Sequence, residues 1–351
     1  MGFELNKSYS GFRLTKKEEI AEIKSLGLFF EHDVTGAELL VLENDDDNKV
    51  FSATFRTPPE NDTGIAHILE HSVLCGSKNF PVKEPFVELM KGSLQTFLNA
   101  MTFPDKTMYP VASRNRKDFF NLMNVYLDAV FYPNISEETF KQEGWHYELN
   151  TPEDKIVYKG VVLNEMKGEF SSPESCIDRH LAHSLFPSTP YGYESGGDPK
   201  SIPDLTYTDF KNFHKKHYHP SNSRLFLYGD GDTQSYLEFL QEKYLQDFGH
   251  MDVNTSIAHQ RSFRKPKRKS LTYPVSSHES PEKKTFVLVG YKLDKAINHE
   301  HCLGFSILSH LLLGSSASPL RKALITSELG SEVIGGGFDD NRADTIFAVG
   351  L

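Results

Sequence analysis

Gly64-Ile65-Ala66-His67-Ile68-Leu69-Glu70-His71-Ser72-Val73-Leu74-Cys75-Gly76 is a short apolar run carrying two imidazoles and a carboxylate in the order H-x-x-E-H. Ile65, Leu69 and Val73 recur every fourth residue and predict a helix with one buried stripe. On such a helix His67 and His71 stand one turn apart, with Cβ atoms roughly 5–6 Å from each other, so both rings can reach one ion. Two neutral imidazoles fill two corners of a zinc tetrahedron; a third protein ligand is required, and the fourth position can hold water. Zinc would bring that water's pKa toward ~7, and the adjacent carboxylate of Glu70 would be its general base. The plain alternative is an amphipathic helix whose histidines are hydrogen-bonded core residues and whose glutamate faces solvent.

The best candidate for the third ligand lies in Lys159-Gly160-Val161-Val162-Leu163-Asn164-Glu165-Met166-Lys167-Gly168-Glu169-Phe170. Val162 and Met166 recur at helical spacing, which puts Glu165 at the border of the buried face. Glu169 follows one turn later. On this run alone a solvated carboxylate is the simpler reading of Glu165, because most helix glutamates are only that.

Five segments carry a wider resemblance: His67-Ile-Leu-Glu-His71-Ser-Val-Leu-Cys-Gly-Ser77, Phe97-Leu-Asn-Ala-Met101, Gln142-Glu-Gly-Trp145, Gly160-Val-Val-Leu-Asn-Glu-Met-Lys-Gly168 and Ser195-Gly-Gly-Asp-Pro199. Together, and in this order, they resemble the pitrilysin/insulinase superfamily of inverted-motif zinc peptidases, and within it the presequence protease and falcilysin branch. The resemblance runs from about Tyr9 to the last residue. It implies His67, His71 and Glu165 as ligands of one Zn2+ per chain and Glu70 as base. Glu169 is not at the matching position. Other branches carry a supporting glutamate seven residues before the ligand glutamate, where this chain has Tyr158, so the partner that each metal-bound imidazole needs for its free N–H is not named by the sequence.

A chain of 351 residues has room for two domains, each with its own core. Its net charge of −10 argues against a general nucleic-acid binder, which needs clustered excess Lys and Arg for phosphates. Cys75, Cys176 and Cys302 are odd in number and far apart, giving neither a disulfide framework nor a second metal site, and point to a reducing compartment. No apolar run approaches the ~18 residues of a membrane span, and Met1–Arg13 lacks the apolar core of a signal peptide. The bacterial cytoplasm is the simplest location, with an organellar matrix after removal of a leader as the alternative.

The expected fold class is α+β: two related α/β units, each a mostly antiparallel sheet with helices packed on it, the second truncated. Residues 1–255 form the catalytic unit, 256–282 a polar linker, and 283–351 the start of a non-catalytic unit. Along the chain, Lys16–Leu26 reads as helix. Ala37–Glu43 and Val50–Arg56 read as strands flanking a hairpin turn at Asn44-Asp-Asp-Asp-Asn48, which lacks the Gly and distal Glu of a calcium loop. Phe86–Met90 begins a helix; Ser93–Thr102 and Thr107–Ala112 form a strand pair around Pro104-Asp105. In the family the first of these is the edge on which substrate lies as an added strand, so Leu98, Asn99, Ala100 and Met101 are carried over as substrate-facing candidates, an ordinary half-buried strand being the alternative. Helices follow at Phe119–Phe131 and Ser136–Gln142, and short strands at Trp145–Glu148 and Lys155–Tyr158. Ile177–Leu185 and Thr208–His217 are helices, and His214-Lys-Lys-His217-Tyr-His219 reads as a solvated helix end rather than a second metal site. Arg224–Tyr228 is a strand and Gln234–Phe248 a helix. Basic Arg261–Lys269 reads as linker rather than as a nucleic-acid or lipid patch.

The last hundred residues repeat the first unit in degenerate form. Lys284–Gly290 is read as a strand, and Gly304–Ser315 parallels the zinc helix with Ser306, Ser309 and His310 opposite His67, Glu70 and His71, so the second unit should lack zinc. Gly335-Gly-Gly337 reads as a turn. The chain stops at Phe347-Ala-Val-Gly-Leu351 inside an expected strand, and the resemblance implies a longer parent whose C-terminal half closes over the first half like a clamshell. The expected activity is zinc-dependent endopeptidase action on unfolded oligopeptides such as cleaved targeting peptides, weak in these residues alone. A catalytically silent binding or scaffold subunit of the same fold is the alternative, against which the intact His67, Glu70, His71 and Glu165 argue. A serine or cysteine hydrolase finds no nucleophile-elbow motif, and Cys75 has no assigned His partner.

Overall fold

Apolar side chains alternate through most of the first fifty-odd residues, and that period of two builds strands. In the computed structural model, which describes residues 2–83, 85–149, 151–276 and 278–351, β1 (Ser8–Tyr9) and β2 (Phe12–Ile20) lead into β3 (Ser25–His32), β4 (Glu38–Glu43) and β5 (Lys49–Arg56). The expected helix at Lys16–Leu26 is therefore absent. Phe12, Leu14, Leu28 and Phe30 are fully buried, and Lys16–Glu19 is the exposed outer end of a long β2–β3 hairpin that turns through Lys24 in the left-handed conformation. A charged run mimics a helix surface here because β2 is exposed from Thr15 to Glu19, while its partner strand supplies the apolar contacts through Leu26 and Leu28.

The zinc-motif helix α1 (Ile65–Val73) comes next, then α2 (Pro85–Gly92), β6 (Gln95–Leu98), β7 (Met101–Thr102) and β8 (Lys106–Ser113). Two helices follow, α3 (Arg116–Phe131) and α4 (Glu137–Glu143), with N-cap side chains Asn115 and Ser136 accepting from the amides of Asp118 and Thr139. A hairpin of β9 (His146–Glu148) and β10 (Val157–Lys159) precedes α5 (Val161–Glu169), α6 (Pro173–Leu185) and α7 (Tyr207–His217). The large sheet is completed by β11 (Ser223–Gly229), and α8 (Thr233–Lys243) ends at Tyr244, short of the expected Phe248, before one 3-10 turn at Leu245–Asp247.

The main sheet has the order β1-β2-β3-β4-β11-β5-β8-β6, with β7 also on β8. β4 and β5 are not a hairpin: β11 lies between them, parallel to β4 and antiparallel to β5. Asn44–Asn48 is a turn, closed by Asn44 Oδ1 and Asp46 Oδ1 accepting from the amides of Asp46 and Asn48, but it steps over the inserted strand. β11 satisfies its backbone on both sides there and buries Leu225 and Leu227. β6 ends the sheet, leaving its outer edge without a neighbouring strand among the described residues. Under the sheet, Ile68, Leu69, Val73, Tyr109, Val111, Tyr126 and Val162 share one core, each large aliphatic burial being worth about 1.5–3 kcal/mol.

His214 and His217 are not a solvated helix end. His217 is 1 % exposed, its Nδ1 lies 3.2 Å from the Arg56 carbonyl, and its Nε2 has no hydrogen-bond partner among the described residues. His214 Nε2 lies 2.9 Å from the Val130 carbonyl. Burial pushes both imidazoles down to about 4, against the pull of the two carbonyls; Lys216 adds to the fall at His217 and Glu60 opposes it. An imidazole that titrates near ~6.5 in the unfolded chain binds its proton there first, so stability is full above that pH and falls as pH drops toward the folded value. Urea titrations at about pH 7 and about pH 5 should differ by on the order of 3 kcal/mol, and His214→Gln with His217→Gln should flatten the slope. An equal slope in the double variant would remove these two residues from the account.

Beyond α8, residues 251–287 contain no helix or strand among the described residues. They are nonetheless pinned: Thr255 and Gln260 are buried, and the Gln260 amide donates to Asp344 Oδ2 at 2.7 Å. Then come β12 (Leu288–Lys295), α9 (His299–Leu313), α10 (Pro319–Thr326), β13 (Ile334–Asp339) and β14 (Asp344–Gly350). The strand expected at Lys284–Gly290 starts four residues later, and Gly335–Gly337 lies inside β13 rather than in a turn. All three glycines have positive φ, and the ladder to β14 slips register across them, as a bulge requires. β12, β14 and β13 form a separate antiparallel sheet on which α9 packs, with Ser309 Oγ accepting from the Phe338 amide. No helix among the described residues is long and apolar enough to cross a membrane.

Candidate metal centre

α1 starts at Gly64, whose left-handed φ of 67° suits glycine, and a Cβ there would sit 2.7 Å from the Gly196 carbonyl. That close approach delivers a ligand partner. His67 Nδ1 lies 3.1 Å from Gly196 O, which fixes the ring and leaves Nε2 free to face inward. One turn on, His71 Nδ1 lies 3.3 Å from Glu143 Oε2 at the end of α4. The two rings stand 5.0 Å apart between centroids, nearly perpendicular at 79°.

The N-terminus of α5 is Gly160, where a side chain would collide with the Gly144 carbonyl, so the glycine lets α5 press against the turn after α4. Val162, Leu163 and Met166 are buried and Glu165 leans out over α1. Glu165 Oε2 is 3.7 Å from His67 Nε2 and 3.7 Å from His71 Nε2. Among the described residues these three form a cluster able to hold an ion, with one donor atom from each lying within 4.8 Å of the others. Zinc bonds of ~2.0–2.1 Å in a tetrahedron require donors roughly 3.3 Å apart, so the donor set and its spacing fit zinc with a small contraction.

Glu70 points beside this cluster. It is 8 % exposed, and its Oε2 accepts from Thr102 Oγ1 at 2.7 Å. Glu169, one turn beyond Glu165, instead accepts from Ser175 and stays out of the cluster. Tyr158 also stays out, its ring 5.2 Å from that of Tyr147 on the β9–β10 hairpin.

Glu143, Gly196 and Thr102 are site residues that sequence reasoning missed. Glu143 and Gly196 lay within quoted motifs whose chemistry was unread, and Thr102 carried no signal. Burial alone would depress His71, but the Glu143 hydrogen bond and the charges of Glu70, Glu143 and Glu165 outweigh it and raise its pKa above the usual imidazole value. Burial likewise works against the charge on Glu143; contacts with His71, Gln142 and Cys75 more than compensate and hold its pKa low. Leu98, Asn99, Ala100 and Met101 lie on or between β6 and β7 at the sheet edge, with Asn99 exposed and the other three half-buried.

Two family models match: Insulinase (Peptidase family M16) over residues 55–169 and Peptidase M16 inactive domain over residues 204–351. A protein named HypA from Clostridium perfringens is 52 % identical over 99 % of this chain and 36 % of its own length. Presequence protease 1, chloroplastic/mitochondrial, from Arabidopsis thaliana is 50 % identical over 97 % of this chain and 32 % of its own. The solved structure of a peptidase M16 inactive domain from Pseudomonas fluorescens superposes with a TM-score of 0.69 at 17 % identity, covering 93 % of this chain and 74 % of that one. The chain belongs to the insulinase/pitrilysin superfamily of M16 peptidases. Within that superfamily its place is the presequence protease branch. It spans about a third of the length of the curated relatives it matches.

Proposed function

We propose that the protein is a zinc-dependent metalloendopeptidase acting on unfolded oligopeptides, of which cleaved targeting peptides are the expected natural class. The convergence of His67, His71 and Glu165 beside Glu70 carries this reading. His67 and His71 would hold zinc through Nε2, and Glu165 through its carboxylate. When bound, the metal would supply Lewis-acid polarisation of the scissile carbonyl and a water acidic enough to lose its proton near neutrality.

The remaining chemistry belongs to the chain. Gly196 and Glu143 fix the two ring orientations. Glu70 takes the proton from the attacking water and returns it to the leaving amine, so one carboxylate serves as base and then as acid. The outer edge of β6 and β7, with Leu98, Asn99, Ala100 and Met101, would receive the peptide as an added strand. Main-chain hydrogen bonds then give affinity for many sequences, while a folded protein cannot present an extended segment. Residues 1–255 are the catalytic unit in this reading, 256–282 the linker and 283–351 part of a non-catalytic companion. The rest of a longer polypeptide would close the chamber over the substrate.

Cleavage of unfolded peptides of graded length, assayed on the full-length polypeptide before and after chelation, tests this. Expected are cleavage of flexible peptides, loss on metal removal and recovery with zinc. Cleavage untouched by stripping would overturn the metal assignment; bound zinc with no cleavage would favour a silent scaffold.

A further inference from the structure

We infer that Thr102 is a positioning residue for the base, and that it ties Glu70 to the edge strand on which the peptide would lie; this rests on the peptidase reading above. Thr102 Oγ1 donates to Glu70 Oε2 at 2.7 Å. A hydroxyl donating to one carboxylate oxygen leaves the other oxygen to accept the proton from water, and it removes a rotational freedom that the terminal carboxylate torsion otherwise has. Charge-assisted bonds of this kind are stronger than neutral ones.

Thr102 is itself held. β7 is a two-residue strand whose Met101 and Thr102 oppose Met108 and Thr107 on β8. Thr107 is buried and shares a 2.8 Å hydroxyl contact with Thr57. Between β6 and β7 the strand breaks at Asn99-Ala100, and the break is pinned from below: Tyr126, packed in the core, donates its hydroxyl to Asn99 O at 3.2 Å. The ladder to β8 therefore resumes in a fixed place, with Thr102 under Glu70. A peptide pairing along the outer side of β6 and β7 would rest on the same strand that sets the carboxylate. Substrate register and base orientation thereby share one backbone segment.

The test uses the full-length polypeptide loaded with zinc, comparing Thr102→Val, Thr102→Ser and Glu70→Gln. Valine keeps the shape and removes the donor. Thr102→Val should lower kcat roughly tenfold or more, with KM, zinc content and melting temperature close to wild type. Thr102→Ser should restore most of kcat, and a crystal structure of the valine variant should show Glu70 released from its rotamer. Wild-type kcat in Thr102→Val, alongside a dead Glu70→Gln, overturns the role of Thr102 and leaves the peptidase reading standing. Full activity in Glu70→Gln removes Glu70 as the base instead, and with it the carboxylate that Thr102 is inferred to position. A fall in melting temperature or zinc content matching the fall in kcat, or failure of serine to rescue, assigns Thr102 a purely structural part and also overturns the inference.

Discussion

Replacing Glu70 by Gln in the full-length polypeptide should leave zinc bound while peptide cleavage falls by a factor of about 10²–10⁴. The expectation follows from the separation of tasks within one helical turn. The donors that cluster closely enough to hold an ion are those of His67, His71 and Glu165, and Glu70 is not among them. A glutamine matches the shape of glutamate and can still accept from Thr102, so α1 and its burial are preserved. What it cannot do is hold a water proton and hand it on. Metal analysis and initial rates on one unfolded peptide suffice. Cleavage at the wild-type rate would remove Glu70 from the chemistry, and loss of zinc in the variant would mean that the carboxylate holds metal after all.

The parts of the site that were legible from residue spacing alone share one property: they are local. Ile65, Leu69 and Val73 alternate with His67 and His71 on a single helix, so period and ligand spacing could be read together. Glu165 was legible as a candidate ligand only through the resemblance, since its own run is an ordinary helix edge. The roles of non-local partners could not be read from spacing, even where Glu143 and Gly196 lay inside quoted motifs. The β4–β5 hairpin failed because the strand between them, β11, arrives far downstream, and nothing in Asn44–Asn48 distinguishes a turn that closes a pair from one that steps over a third strand. The helix expected at Lys16–Leu26 failed for the opposite reason, a charged hairpin tip matching the composition of a helix surface. His214 and His217 were placed in solvent because their lysine neighbours dominate the local reading, whereas the fold turns the two rings inward and the lysines out.

Glu143 shows what such a non-local partner contributes, and its removal should weaken metal binding more than any change outside the ligand set. Glu143 is 6 % exposed, and its carboxylate is shared three ways: His71 Nδ1 at 3.3 Å, the Gln142 side-chain amide at 2.8 Å and the Cys75 thiol at 3.6 Å. A carboxylate on Nδ1 fixes the tautomer that leaves the Nε2 lone pair for zinc and raises the basicity of the ring; losing such a partner typically costs about 10–100-fold in affinity. Glu143→Ala should therefore raise the zinc dissociation constant by that factor in competition with a calibrated chelator. Glu143→Gln, which still offers a carbonyl oxygen but no charge, should fall between alanine and wild type. The ordering matters more than either value. If glutamine and alanine weaken binding equally, charge on the partner is what counts. If neither changes it, His71 is oriented by the packing of α1 alone, and the hydrogen bond to Glu143 is incidental to the metal.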